Sequence, residues 1–227
     1  MADLPTDGTG HRDRLRQRLL DGGHEALHEH ELVEYLLGLA IPRRDTKPLA
    51  KRLINEFGSY GALLSAPADE LRRKTKLSDR SIAALMIAKA SALRLLQSEI
   101  AGRPVLANWQ ALLDYLHADM AHEPVERVRV LHLDAKNVLI RDQLVAEGTI
   151  DQAAIHVREI IRKAIDLHVS AMILVHNHPS GDPSPSQADI RLTREVAEAG
   201  RPLGIAVHDH IIVGASGHNS LRSMGLL

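Results

Sequence analysis

The residues best suited to chemistry lie in one stretch, His176-Asn177-His178-Pro179-Ser180-Gly181-Asp182-Pro183-Ser184-Pro185-Ser186-Gln187-Ala188-Asp189. His176 and His178 lie just past Ala171–Val175, a short apolar run of buried-strand type. Side chains two apart on an extended segment point the same way, so both imidazoles can face one metal ion. Neutral imidazole suits zinc, and a carboxylate completes a set of three protein ligands. Three ligands leave a fourth position for water, which separates catalytic zinc sites from closed structural ones. The Pro/Gly-rich stretch from Pro179 to Pro185 can fold the chain back, so that Asp189 on the next helix meets the histidines. Two plainer readings stand beside this one. An isolated His-x-His is usually a surface pair, and Ser186 to Asp189 is also a helix capping box.

Composition narrows the chemistry. The chain of 227 residues has no cysteine, which excludes disulfides, thiolate zinc sites and cysteine nucleophiles. Apolar residues make up 44% of it, enough for a sizeable core. Only five residues are aromatic and the last is Tyr115, so that core must be built from Leu, Ile, Val and Ala. A net charge of −1 argues against a strongly electrostatic nucleic-acid binder. No stretch approaches 18 uninterrupted apolar residues, so no membrane span is expected. The opening MADLPTDGTGHRDR lacks the apolar core of a signal peptide. A cytoplasmic location is the expectation. The letters His176-Asn177-His178 are not an HNH nuclease motif, which spreads its residues over a ββα unit.

The elements that must position these residues fall into two groups. Residues 11–98 read as helical throughout, with apolar spacing at Leu32, Val33, Leu36 and Leu37, then at Leu49, Leu53 and Ile54 before Gly58. Gly102-Arg103-Pro104 breaks the pattern. Two domains are therefore expected, a helical one over residues 1–101 and a mixed one over residues 105–227. In the second, Asn108 is placed to cap a helix running to about Met120. Strands are expected at Glu126–Leu133 and Val138–Val145, joined by a turn at Asp134–Asn137. A helix over Ile155–His168, the strand Ala171–Val175, a helix over Ser186–Ala199 and a final strand Ile205–Val213 follow. The fold class is α+β overall: an all-α domain, then an α/β layer domain.

The pattern His-x-His-Pro, then Ser seven residues after the proline, then Asp three further on, resembles the signature of the JAMM (MPN+) metalloproteases. The order of a helical domain, the segment EGTIDQAAIHVREIIRKAIDLHVSAMILVHNHPSGDPSPSQADIRLTREVAEA and then HDHIIVG is similar to the RadC family (UPF0758). That resemblance covers nearly the whole chain. It implies a helix-hairpin-helix-like region followed by an MPN+ domain, cytidine-deaminase-like, with a mixed sheet flanked by helices. It also implies a zinc-dependent hydrolase, a peptidase or isopeptidase, with a glutamate base acting on a water at Zn2+ and a protein or peptide as substrate.

By position the base is Glu126, which opens its strand; Glu147 and Glu159 compete for the role. Ser186 would stabilise an oxyanion, and Asn177 would shape the loop. His208, Asp209 and His210 are candidates to support the ligating imidazoles. The alternative function is a DNA-associated module, related to DNA repair, with a structural or vestigial zinc site. One departure bears on it. A DNA-binding hairpin uses Gly-x-Gly so that backbone amides reach phosphate, whereas Leu77 and Asp79 occupy those places here. DNA binding is therefore expected to be weak. The sequence leaves the oligomeric state open.

Overall fold

A computed structural model of the chain describes residues 8–42, 44–148 and 156–227. It divides into two compact units, with the break between Ser91 and Ala92. The expected break at Gly102–Pro104 lies further along. The reason is the long helix between them: Leu93, Leu96 and Ile100 on its last turns pack into the core of the second unit.

The first unit is helical: α1 (Gly8–Gly22), α2 (Glu29–Ala40), α3 (Lys47–Phe57), α4 (Tyr60–Ser65), α5 (Ala68–Lys74) and the start of α6 (Asp79–Ile100). Helix α3 stops at Gly58, whose φ of 86° is left-handed and open to glycine without strain. Ser59 then accepts a hydrogen bond from the Ala62 amide at 3.0 Å and starts α4. Val33, Leu37, Leu53, Leu63, Leu71, Ile82 and Leu85 form the core, each contributing roughly 1.5–3 kcal/mol by burial. Leu77 packs against it, and the Asp79 carboxylate meets Arg72 at 2.9 Å.

The second unit is a five-stranded mixed sheet between helices. Helix α7 (Trp109–Met120) comes first, but Asn108 does not cap it: the Asn108 amide donates to the Glu99 carbonyl at 3.0 Å instead. The strands are β1 (Arg127–Leu133), β2 (Leu139–Glu147), β3 (Ala171–Asn177), β4 (Ala206–Gly214) and β5 (Gly217–Ser220), in the order β2-β1-β3-β4-β5. Strand β5 was not expected from the sequence. Only β3 and β4 pair in parallel. Helices α8 (Val157–Asp166) and α9 (Gln187–Gly200) supply the crossovers. The expected start of α8 at Ile155 lies outside the described residues.

Every residue of β3 is buried, because both sheet faces are covered. Leu112, Leu116 and Met120 of α7 pack with Leu131, Ile173 and Val175 on one face. Ile160, Ile161 and Ala164 of α8 and Val196 of α9 pack with Val130, Met172 and Leu174 on the other. A strand covered on both sides reads as a continuous apolar run, as Ala171–Val175 does.

The loop from His178 to Ser186 is tied down along the β4–β5 hairpin. The His178 amide donates to the Val213 carbonyl at 2.9 Å. The Gly181 carbonyl accepts from the Ser216 amide and hydroxyl at 3.2 and 2.8 Å, and Asn219 donates to the Pro183 carbonyl at 3.1 Å. Gly214 allows this approach: a Cβ there would lie 2.3 Å from the Gly181 carbonyl oxygen. Gly214→Ala is therefore expected to destabilise the protein by about 1–3 kcal/mol, the usual cost of overpacking. Thermal denaturation checks this, and an unchanged midpoint would mean that the loop does not rest on β4.

Candidate metal centre

Three elements deliver the side chains. On β3, alternation sends Met172, Leu174 and His176 to the α8/α9 face and Ile173, Val175 and Asn177 to the α7 face. His178 follows one residue beyond the strand. Helix α9 begins at Ser186, whose hydroxyl accepts from the Asp189 amide at 3.2 Å while the Ser186 amide donates to Asp189 Oδ2 at 2.7 Å. The capping box exists, and the same carboxylate still reaches the histidines. Asp189 Oδ1 lies 3.3 Å from His176 Nε2, and its Oδ2 lies 3.7 Å from His178 Nε2. The two Nε2 atoms are 2.9 Å apart.

Hydrogen bonds fix the state of both rings. Thr193, one turn after Asp189, has a single hydroxyl proton and gives it to the Asp189 carbonyl at 2.5 Å. It must then accept from His210 Nδ1, 2.6 Å away. His210 is fully buried, and burial holds its pKa well below the usual histidine value. Being neutral and protonated on Nδ1, it can only accept at Nε2, which lies 2.8 Å from His176 Nδ1. His176 thus carries its proton on Nδ1. His178 Nδ1 faces the Asp182 carbonyl at 2.8 Å and donates to it. As neutral rings, both therefore aim bare Nε2 lone pairs at each other. Two lone pairs at 2.9 Å repel unless a cation lies between them, either a proton or a metal ion.

The site suits both. For the proton, the hydrogen bond with Asp189 raises the His178 pKa against the opposing effect of burial. For a metal, bonds of about 2.0–2.1 Å in a tetrahedron imply ligand atoms roughly 3.3–3.4 Å apart. The separations of 2.9, 3.3 and 3.7 Å bracket that value. Burial works against ionising Asp189, but the His176 and His178 rings beside it, once one of them carries a proton on Nε2, outweigh burial and hold the carboxyl well below its usual range. The donor set of two imidazoles and one carboxylate fits zinc.

Glu126 borders the same point. It lies just before β1, with Oε1 4.0 Å from His176 Nε2. Glu126, His176 and His178 offer ligand atoms within 4.8 Å of one another. Asp189 stands closer to both rings and is fixed by its cap, so Asp189 is the better third ligand and Glu126 the more distant neighbour. Burial raises the Glu126 pKa, opposed by His176 and His178. The competing glutamates are engaged elsewhere. Glu147 meets Arg127 at 3.2 Å, and Glu159 meets Arg162 at 2.5 Å on the exposed side of α8.

Of the three candidates to support the ligands, the structure brings only His210 to the site. His208 lies toward the far end of β4 and contacts Asn137 at 2.6 Å. Asp209 accepts from the Ser220 hydroxyl at 2.5 Å and the Arg222 amide at 3.0 Å, which ties down the C-terminal segment. Thr193 was missed by the sequence reading. Its position four residues after Asp189, on the same helix face, was the available signal.

The family model for the RadC-like JAB domain matches residues 106–226. The chain is similar to a UPF0758 protein of Rhodobacter capsulatus, with 49% identity over 213 residues, 94% of this chain and 100% of that protein. It is also similar to a UPF0758 protein of Ruegeria pomeroyi, with 45% identity over 224 residues, 99% of this chain and 100% of that one. The mixed sheet with its flanking helices is that of a JAB-type domain. The chain belongs to the RadC family.

Asn177 does more than shape a loop. It is fully buried on the face opposite His176. Its side-chain carbonyl accepts from the Arg127 amide at 2.9 Å, and its amide lies 3.3 and 3.2 Å from the carbonyls of Glu123 and Val125. It staples the segment that carries Glu126 to the strand that carries His176. Asn177→Ala would leave these backbone groups without their partner, at a cost on the order of 1–3 kcal/mol. Amide hydrogen exchange at Val125–Arg127 is expected to accelerate well beyond that of β3. Unchanged protection of that segment would remove Asn177 from this role.

Proposed function

We propose that the protein is a zinc-dependent hydrolase of the JAMM type that cleaves an amide bond in a protein or peptide, as a peptidase or isopeptidase. The observation that carries the reading is the pair of Nε2 atoms 2.9 Å apart, each on a ring whose Nδ1 is engaged elsewhere, beside one buried carboxylate, with a second 4.0 Å from His176 Nε2. His176, His178 and Asp189 would hold the ion. Zinc in such a setting supplies Lewis acidity that brings the pKa of a water to roughly 7. Glu126, at the edge of the ligand set, is the group to take a proton there and pass it to a leaving amine. The Ser186 hydroxyl accepts from the Asp189 amide, and its own proton has no acceptor among the described residues. It is free to donate to a developing oxyanion. Asn177 and the Thr193–His210 pair hold these groups in place without touching substrate.

Elemental analysis of purified protein is expected to find about one zinc per chain, the stoichiometry of a three-ligand site. His178→Ala should lose most of it. Equal zinc in both proteins would sink the ligand assignment.

The base is separable from the metal. Glu126→Gln keeps the shape, should keep zinc, and should lose roughly 10²–10⁴-fold in turnover on any substrate the wild type selects from an unbiased peptide library. Glu147→Gln and Glu159→Gln should stay active. A zinc-loaded but dead Glu147→Gln or Glu159→Gln, beside an active Glu126→Gln, would move the base to the other residue.

A further inference from the structure

The helical unit contains a cavity of about 600 Å³ that the proposed chemistry does not use. Arg44, Arg52, Lys76 and Arg80 line it, with Ser78 and Ser81, and among the described residues no carboxylate does. The four cations come from separate places: the chain before α3, α3 itself, the turn before α6, and the first turn of α6. The fold, not a local run of basic residues, brings them together.

None of the four side chains has an ion-pair partner among the described residues. The nearby carboxylates are already committed. Asp79 faces Arg72 at 2.9 Å, and Asp45 accepts from the Lys47 amide at 3.0 Å. Like charges around one concavity repel each other, and the described residues supply no counter-charge to it. Ser81 is buried, with its hydroxyl 3.0 Å from that of Ser78, which also accepts from the Ser81 amide. Between them the two hydroxyls retain one O–H beyond the bond they share. Guanidinium groups with hydroxyl donors and no acceptor carboxylate match the oxygens of phosphate.

The arrangement also speaks to ligand size. A duplex is tracked by a basic stripe that contacts many phosphates. Here the unpaired cations ring a single cavity, and the chain as a whole has a net charge of −1. We propose that this cavity binds the phosphate groups of a small phosphorylated ligand, with Arg52 and Arg80 as its principal guanidinium contacts. Leu77 and Asp79 are compatible with such a site, because it is built from side chains and does not need the close backbone approach that glycines provide. The proposal is independent of the metal centre.

Inorganic pyrophosphate is the probe, titrated by calorimetry into the full-length protein at fixed ionic strength. Saturable binding is expected, with Arg52→Ala and Arg80→Ala each weakening it about tenfold or more, as for loss of a charge-assisted hydrogen bond. Both positions are exposed, so the variants should fold, and circular dichroism checks that they do. Arg73→Ala removes the same charge from an exposed position that does not line the cavity, and should bind pyrophosphate like the wild type. Absence of binding at millimolar pyrophosphate overturns the proposal. So does equal weakening by Arg73→Ala, which would reveal only a net-charge effect. A short DNA duplex forms the second arm: tighter binding of the duplex than of pyrophosphate, lost in Arg52→Ala and Arg80→Ala, would overturn the small-ligand assignment.

Discussion

The candidate metal centre depends on two imidazole nitrogens held 2.9 Å apart which, in neutral rings, oppose their lone pairs. Such an arrangement is unfavourable by itself and persists only because each ring is anchored from behind. His178 is anchored by a backbone carbonyl in its own loop, His176 by a buried relay that ends on α9. The relay has one direction because Thr193 has one proton and the Asp189 carbonyl takes it. The chain thus invests buried polar groups, costly if unpaired, in keeping two acceptors free. A cation would restore the balance, and the nearest anion, Asp189, is buried beside the pair.

The pleat of β3 extends the control to a second function of the site. Successive residues point to opposite faces. His176 enters the candidate ligand set, while Asn177 reaches under the sheet to the segment before β1. One dipeptide therefore holds both the candidate ligands and the glutamate beside them in register. The β4–β5 hairpin does the corresponding work for the loop, which is why a glycine stands at position 214.

Much of this site was legible in the sequence because it is local. His176, His178, Ser186 and Asp189 lie within a single short stretch, and both a capping box and a ligand set could be read from their spacing. The mixed α+β class was legible for the same reason: apolar periods change after Gly102. What could not be read depends on tertiary contacts. His208, Asp209 and His210 are indistinguishable as neighbours, and an irregularity in the β3–β4 pairing, between Met172 and Ile173, separates their roles. Strand β5 has no apolar alternation to betray it, since Gly217–Ser220 is polar throughout. Asn177 looked like a loop residue because its partners lie some fifty positions earlier. The cation-lined cavity was hidden for the opposite reason to the site: its residues are scattered from Arg44 to Arg80, while the nearest run of basic residues, Arg72 to Lys74, belongs to another surface.

The sequence distance between Glu126 and the histidines has an evolutionary consequence. The groups proposed to hold the ion form a self-contained cassette of strand end, loop and helix start. The carboxylate that would make the cassette reactive arrives from a separate segment, docked through an asparagine. Mutation at position 126 would silence the proposed chemistry while leaving the cassette, the sheet and the helical unit intact. If the proposed chemistry holds, a single residue separates a hydrolase from a protein that only binds the ion, and the same step reverses the change.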